Sequence, residues 1–481
     1  MSTQQKVMTN WRWIMCAMLF FATTVNYMDR QVLSLTFKEF IQPEFHWTDS
    51  DYGTITGVFS IAYAIFCLFA GKFIDFMGTK KGYLWAIIVW SLGAVLHAGC
   101  GFVTEHIVGL ESKAELLQAT GDIVSSIAMI SVYLFLACRL ILGLGEAGNF
   151  PAAIKVTAEY FPKKDRAFAT ALFNAGASVG ALAAPATIPL LAKSLGWEMA
   201  FIIIGALGFI WAGIWIFVYD KPTESKHVNA AELEYINSDE EAITNDKSQT
   251  TNERQMSFLE AFTHRQTWSF AFGKLNTDGV WWFFLIWAPA YFQDQYGIKA
   301  SDPQGIALIF TLYAIVTVIS LFGGYLPKIF VEKHGMEPYA GRMRAMLIFA
   351  FFPLLALFAQ PLGGVYGPWA VAIIIGIVGA AHQSWSANIF STTGDMFPKS
   401  AVATITGIGA MAGGVGSFLI NKGSGVLFDH AAGLGEAFQF VGFTGKPAGY
   451  MIIFCICAVA YLIGWCVMKS LVPKYEPVVV E

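Results

Sequence analysis

The sequence predicts an all-α membrane protein: twelve transmembrane helices in two pseudo-symmetric six-helix bundles, with both termini cytoplasmic. Three observations carry that expectation. The first is composition: of 481 residues, 56% are hydrophobic and 13% charged, with a mean hydropathy of +0.55, against roughly 25% charged in a soluble domain. The second is one polar, charge-rich stretch from Asp220 to about Ala261 that divides the apolar runs six from six. The third is an internal repeat: "FPKKDRAFATALFNAGASVG" (Phe161 to Gly180) and "FPKSAVATITGIGAMAGGVG" (Phe397 to Gly416) share seven of twenty residues without a gap, each leading into the fifth helix of its half. Parallel repeats of this kind enclose a site near the bilayer midplane.

In chain order the apolar runs are Trp11 to Leu35, Tyr52 to Phe73, Gly82 to Phe102, Ile123 to Phe150, Ala167 to Leu191 and Ala200 to Val218. The second set is Trp268 to Tyr291, Gly305 to Pro327, Met343 to Gln360, Tyr366 to Phe390, Val402 to Leu427 and Tyr450 to Met468. About 20 apolar residues at ~1.5 Å each cross the hydrocarbon layer, and most runs reach that length. The run at Trp11 is too long for a signal-peptide core and lacks a small-residue cleavage site. Domains are expected at 1–219 and 263–481, with a cytoplasmic linker at 220–262.

Charge fixes the orientation. Counting residues at span ends with the adjoining loop, 21 of the 30 Lys and Arg fall on the cytoplasmic side, six outside and three at depth. No basic cluster points to nucleic acid. All seven cysteines lie in apolar runs without metal-ligand spacing and read as small buried hydrophobes. No nucleophile and base pair occurs in the spans, so no catalytic residue, metal or cofactor is expected. The polar stretch 103–122 between the third and fourth runs has no functional reading.

The residues at depth carry the chemistry. Arg30, Arg139 and Lys274 are accompanied by Asp29, Glu146 and Asp278. A charge at the centre of a spanning helix costs roughly 2.5–3.5 kcal/mol even on the lenient insertion scale, so it normally faces a cavity and a partner. Arg139 and Glu146 share a helix face but lie ~10.5 Å apart along it. Partners on another helix are therefore expected, with Asp29 opposite Arg139 and Arg30 opposite Glu146. An arginine presents a planar fork matched to a carboxylate. An anion that engages it frees a neighbouring acid to take a proton, which couples the two. Structural ion pairs that fix helix register are the competing reading.

After the second run comes "GKFIDFMGTKK", with Gly71, Asp75, Gly78, Lys80 and Lys81. An aspartate at a helix end can bond free amides of a neighbouring helix and latch the outward-open state. The motif resembles the loop signature of the major facilitator superfamily, except that Phe76 stands where a basic residue is usual. "NYMDRQ" (26–31), "RLILGLGEAGNFPAA" (139–153) and "EYFPKKDRAFATALFNAGASVG" (159–180) resemble the anion:cation symporter branch. "DGVWWFFLIWAPAYF" (278–292) and "AAHQSWSANIFSTTGDMFPKSAVATITGIGAMAG" (380–413) resemble its hexuronate transporters. The resemblance covers nearly the whole chain apart from the linker and the 103–122 stretch.

That resemblance implies Arg30 as anchor for a substrate carboxylate, Asp29 and Glu146 as titrating groups and Arg139 as their gate. Tyr27, Tyr63 and Asn174 would bond substrate, and Lys274 with Asp278 would act in gating beside the Gly71–Lys81 loop. Thr277 stands where glutamate-transporting relatives carry a second substrate arginine, which favours a monoanion rich in hydroxyls. In the tenth run, His382, Gln383, Trp385 and Asn388 interrupt an apolar helix. A sugar ring can lie on Trp385 while Gln383 or Asn388 bonds its hydroxyls, and Asn421 is a further candidate. Trp281 and Trp282 read as packing residues, with only one able to face a cavity. The expected function is proton-coupled import of hexuronates by a monomer in the bacterial inner membrane. Its partners would be the organic anion, protons and the bilayer. An aldonate or aldarate symporter, sodium coupling and a non-transporting sensor stand as alternatives.

Overall fold

The computed structural model describes residues 8–238, 256–323, 325–397 and 399–478. Part of the expected linker, 239–255, lies outside the described residues, as do Pro398 of the repeat and the side chain of Asp75. The first half contributes α1 (Trp11–Thr36), α2 (Asp49–Met77), α3 (Thr79–Leu96, continued by Cys100–Val108), α4 (Asp122–Glu146, continued by Asn149–Tyr160), α5 (Lys163–Leu195) and α6 (Trp197–Val218). The second contributes α7 (Arg265–Tyr296), α8 (Pro303–Gly323, continued by Tyr325–His334), α9 (Pro338–Phe351, continued by Ala356–Tyr366), α10 (Pro368–Met396), α11 (Lys399–Leu434) and α12 (Gly445–Leu471). Among the described residues, ten helices are long and apolar enough to cross a membrane. At 26 and 32 residues α1 and α7 are long enough as well, but they carry the charges: Asp29 and Arg30 in one, Lys274 and Asp278 in the other.

Glycines set the closest crossings. A Cβ on Gly180 of α5 would run into the Thr24 carbonyl of α1, and one on the repeat-related Gly416 of α11 would run into the Leu275 carbonyl of α7. The repeat in the sequence thus places the same residue type at the same crossing in each half, fifth helix against first. Between the halves, α11 lies along α2: Gly53 packs on the Asn421 backbone, and Ser417 Oγ donates to Ser60 Oγ at 2.9 Å. Backbones approach this closely only where a side chain is missing.

The stretch 103–122, unread from sequence, is a clip. Its short helix Lys113–Gln118 buries Leu116 completely. Lys113 pairs with Glu44 at 2.8 Å and Glu198 at 2.5 Å. Trp197 Nε1 also donates to Glu44, at 2.7 Å. The α1–α2 connection is thereby tied to the start of α6.

On the face that carries the described ends of the chain, the linker docks beneath α1. Its helix Ala230–Ile236 directs Glu232, fully buried, at the free amides of the α1 N-terminus. The carboxylate accepts from Trp11 N at 2.9 Å, from Arg12 N and Arg12 Nη1 at 3.1 Å each, and from Thr9 Oγ1 at 2.5 Å. An anion there also complements the helix dipole. Burial alone would push the Glu232 carboxyl up, but the bonds from Thr9, Arg12 and Trp11 and the Arg12 charge outweigh it and hold it below its ordinary value. The resulting stability is present above the unfolded carboxyl's pKa of about 4.3 and is lost as pH falls through the lower folded value. Removing one partner of a buried pair leaves an uncompensated charge. Glu232→Ala is therefore expected to cost about 3 kcal/mol in thermal unfolding at neutral pH, with faster amide exchange over the first turn of α1, and to cost progressively less below about pH 4.

Candidate functional site

Four of the six charged residues at depth, Asp29, Arg30, Arg139 and Glu146, converge between α1, α3 and α4, facing α7. At the α3–α4 crossing, a Cβ on Gly145 would overlap the backbone of Ala86 and Trp90. That contact brings Trp90 and Glu146 toward α1. Tyr83 meets Trp211 of α6 at 4.9 Å and Trp211 meets Trp215 at 4.7 Å, a stack that seats α3 from behind.

Arg30 Nε donates to Glu146 Oε2 at 2.9 Å, with Glu146 fully buried. The guanidinium carbon lies 4.5 Å from the Tyr63 ring centroid, 5.3 Å from that of Tyr27 and 5.9 Å from that of Trp282 on α7. Residues of both halves therefore surround one cation, and aromatic faces attract it where water is excluded. The expected Arg30–Glu146 pair is present.

The expected Asp29–Arg139 pair is not. Asp29 accepts instead from Trp90 Nε1 at 2.6 Å. Arg139, buried, stands 5.4 Å from the Phe59 ring and, among the described residues, has no carboxylate within ion-pair distance. A tryptophan N–H satisfies one lone pair of Asp29 without a second charge, which leaves Arg139 free to face the cavity. Oδ1 of Asp29, Oε1 of Glu146, Nη2 of Arg30 and Nε of Arg139 have no hydrogen-bond partner among the described residues. Each retains capacity for a further bond.

A cavity of about 20 Å³ lies at this point, lined by residues that include Arg30, Arg139, Tyr52, Thr56, Phe59 and Trp282. It has room for little more than one water molecule. Any molecule much larger than water could enter only if the helices that form its walls moved apart.

The remaining expected residues are dispersed. Asn174 is exposed on α5. In α10, His382 is buried, bonded through Nδ1 to Tyr461 OH at 2.7 Å and stacked on Trp281 with centroids 5.4 Å apart. Trp385 is 0% exposed, set edge-on against Tyr461, and its Nε1 has no partner among the described residues. Gln383 is half-buried, while Asn388 donates to its own helix at Ser384 O, 2.8 Å, and lines a separate cleft near Lys328 and Ser391. Asn421 is occupied by Trp287 Nε1 at 3.0 Å and by Ser417. Lys274 and Asp278 pair one turn apart on α7 at 2.7 Å, with the ammonium 4.4 Å from the Phe390 ring centroid. In the α2–α3 loop Gly71 is half-buried, Gly78 adopts φ +78°, Lys81 is exposed and Lys80 pairs with Asp220 at 2.8 Å.

Sequence reasoning missed Trp90, Phe59, Tyr52 and Thr56 and read Trp282 as packing. That reading allowed at most one of the adjacent tryptophans, 281 or 282, to face a cavity. The structure assigns that position to Trp282, with Trp281 against His382.

Among the described residues, ten apolar membrane-length helices, with buried charges at the seam of two helical halves, define a multi-pass integral membrane protein. The chain belongs to the Major Facilitator Superfamily, whose family model matches residues 19–420. It is a transporter, not an enzyme. It is 28% identical over 465 residues to the hexuronate transporter of Escherichia coli strain K12, covering 95% of this chain and 94% of that one. It is 29% identical to a galacturonate transporter of Dickeya chrysanthemi, covering 73% and 92%, and 23% identical to a probable galactarate/D-glucarate transporter of E. coli, covering 92% and 94%. Among solved structures, a bacterial homologue of the human lysosomal transporter Spinster, inward-facing and unoccupied, superposes with a TM-score of 0.69 at 18% identity over 98% of this chain and 99% of that chain. A D-xylose–proton symporter gives 0.65 at 15% identity over 97% and 98%. These two likenesses are of fold alone.

The pair at the centre has a measurable energetic signature. Glu146→Ala leaves Arg30 buried and unpaired and is expected to lower stability in detergent by about 3–5 kcal/mol. In Glu146→Gln an amide oxygen still accepts from Nε, so the loss should be clearly smaller, as read by thermal unfolding.

Proposed function

We propose that the protein imports hexuronates such as galacturonate or glucuronate by proton symport. Two six-helix bundles, 1–219 and 263–481, would rock about the site in twelve spans, with both termini cytoplasmic. As a monomer in a bacterial inner membrane it would use the inward proton gradient. The observation that carries this reading is the Arg30–Glu146 pair, sealed between α1 and α4 and touched by Trp282 from the other half.

Coupling follows from competition for one cation. A substrate carboxylate that docks on Arg30 displaces Glu146, and a buried carboxylate without its partner is neutralised by a proton rather than left charged. Substrate and proton then bind cooperatively. Arg139, without a carboxylate of its own among the described residues, holds the field near Asp29 and Glu146 and gates their exchange. Asp29 offers a second proton site, and carrying two protons with a monoanion would add roughly 2.3 kcal/mol per 100 mV of membrane potential.

Tyr27 and Tyr63, whose rings flank Arg30, stand as hydroxyl partners for the substrate, whereas Asn174 is exposed on α5 and does not line the cavity. The apolar platform for the sugar ring passes from Trp385, which is sealed inside its bundle, to Trp282, which faces the cavity. His382, stacked on Trp281 next to Trp282, would support that wall from α10, whereas Gln383, Asn388 and Asn421 do not line the cavity. The Lys274–Asp278 pair and the Gly71–Lys81 loop, with Asp75, are assigned to gating on the cytoplasmic side. Thr277, bonded to its own helix at Gly273 O, 2.9 Å, supplies no second cation for a dicarboxylate. That favours a hexuronate over an aldarate, the alternative suggested by the 23%-identical relative.

The test is uptake of labelled galacturonate into proteoliposomes under an imposed inward proton gradient, with glucuronate, galactonate and glucarate as competitors. Gradient-driven uptake that vanishes in Arg30→Ala supports the reading. Folded protein that moves none of these acids would sink it. Glu146→Gln is expected to retain substrate exchange across the membrane while losing gradient-driven accumulation. Trp282→Leu should raise the apparent KM about tenfold, the scale of one lost aromatic contact of ~1.4 kcal/mol, whereas Trp385→Phe should act on stability rather than on KM.

A further inference from the structure

On the face opposite the chain ends, four charges close a ring across the two halves. Lys38, just beyond α1, contacts Asp49 Oδ1 at 3.3 Å and Asp294 Oδ1 at 2.9 Å. Lys446, in the first turn of α12, contacts Asp294 Oδ2 at 2.6 Å and Asp49 Oδ2. Each carboxylate thus gives one oxygen to each lysine. The side chains are between 4% and 18% exposed, so the ring is largely out of water. Lys38 and Asp49 belong to the first half, Asp294 and Lys446 to the second.

We propose that this ring is the gate of that face, built to divide into two neutral pairs when the halves separate. A cut along the seam breaks Lys38–Asp294 and Lys446–Asp49. It leaves Lys38–Asp49 within one half and Lys446–Asp294 within the other. Stranding a single buried charge is what makes broken ion pairs expensive, and this division strands none. The closed ring holds the halves in register, while opening leaves each of its four charges with a partner.

The neighbouring contacts across the seam are given up: Glu39 parts from Ser301 and Lys299. Asp429 of α11 accepts from the backbone N–H of Asp49 at 2.9 Å and of Ser50 at 2.6 Å, at the N-terminus of α2. When it leaves, that helix keeps its own cap: Thr48 Oγ1 accepts from Asp51 N at 3.1 Å, and Asp51 Oδ2 accepts from Thr48 N at 2.9 Å. Likewise Tyr450 OH donates to Asp294 at 2.8 Å from within the second half and stays with it. Lys422, which bonds Ser50 Oγ at 2.8 Å and Thr54 Oγ1 at 2.6 Å, is released to solvent.

The inference rests on the rocking of two halves in the proposed function but not on the substrate or the proton. Its test is the distance between spin labels at the exposed positions Glu111 and Gln439, one in each half, measured without substrate in the full chain after replacement of the seven cysteines. Exchanging the charges within one half, Lys38→Asp with Asp49→Lys, preserves that half's pair and the net charge but makes both cross-half contacts like-charged. The ratio of open to closed should rise about tenfold or more, since opposed like charges cost several kcal/mol. The mirror exchange, Asp294→Lys with Lys446→Asp, should do the same, and all four substitutions together should restore closure. Double exchanges that fold and stay closed overturn the proposal, as does a folded quadruple variant that stays open. If neither double variant folds, a folded and closed quadruple supports it, and failure of all three counts against it. A parent protein that shows one fixed distance under every condition would instead sink the rocking on which the proposed function depends.

Discussion

The structure is organised around keeping one guanidinium out of water. Arg30 stands in the middle of a helix that must also face a bilayer, and its charge is tolerable only because Glu146 meets it at 2.9 Å and three aromatic rings surround it. Much of the first half serves that contact. The missing side chain at Gly145 lets α4 approach α3 closely enough to bring its last residue, Glu146, inward, and the missing side chain at Gly180 lets α5 lie against α1. Trp90 then takes Asp29, so that the neighbouring carboxylate does not compete for Arg30. A larger residue at either glycine would move the acids relative to the arginine, and small displacements matter most where charges interact through a low-dielectric interior.

How far the sequence could lead depended on whether a residue announced its environment. Charged residues in apolar helices did so, because burial in lipid is too costly to be incidental. The Arg30–Glu146 pair followed from that cost. The Asp29–Trp90 contact did not, since a tryptophan within an apolar run looks the same whether its N–H points at an acid or at a backbone carbonyl. Trp385 and Trp282 were exchanged for a related reason: helical periodicity tells which residues share a face, but not which face meets the cavity. The glycine matches in the repeat were legible as close-packing positions, and the crossings at Thr24 and Leu275 are where they act.

The ends of the spans were least legible. Lys38, Asp49, Asp294 and Lys446 lie where charges are expected to be solvated, and in sequence they look like ordinary loop residues. Only the meeting of four helix ends converts them into a buried ring. The 103–122 stretch behaved alike, its polar composition concealing Leu116 as a fully buried anchor and Lys113 as the centre of two ion pairs. Local composition reports the average environment of a segment, not which of its members the tertiary contacts remove from water.

The site and the gate are joined by rigid elements rather than by a chain of polar contacts. On α7, Trp282 at the cavity and Asp294 in the ring are twelve residues apart, ~18 Å along one helix. On α2, Asp49 in the ring and Thr56 and Phe59 at the cavity share another. The two helices are held together between those levels, where Tyr52 OH donates to the Ile286 carbonyl at 3.0 Å and Tyr52 packs on Trp287. Because the cavity holds about 20 Å³, a ligand can be admitted only by displacing its walls, and those walls are the shafts that carry the ring. Proline is a common site of sharp bending in a helix. Pro289 supplies one such point on α7, between Trp282 and Asp294, whereas α2 has none over the corresponding length. A movement at Thr56 or Phe59 must therefore reach Asp49 nearly undiminished, while the same movement at Trp282 can be partly taken up at Pro289. The first half is the stiffer lever, and Arg30, the buried cation at the cavity, lies within it.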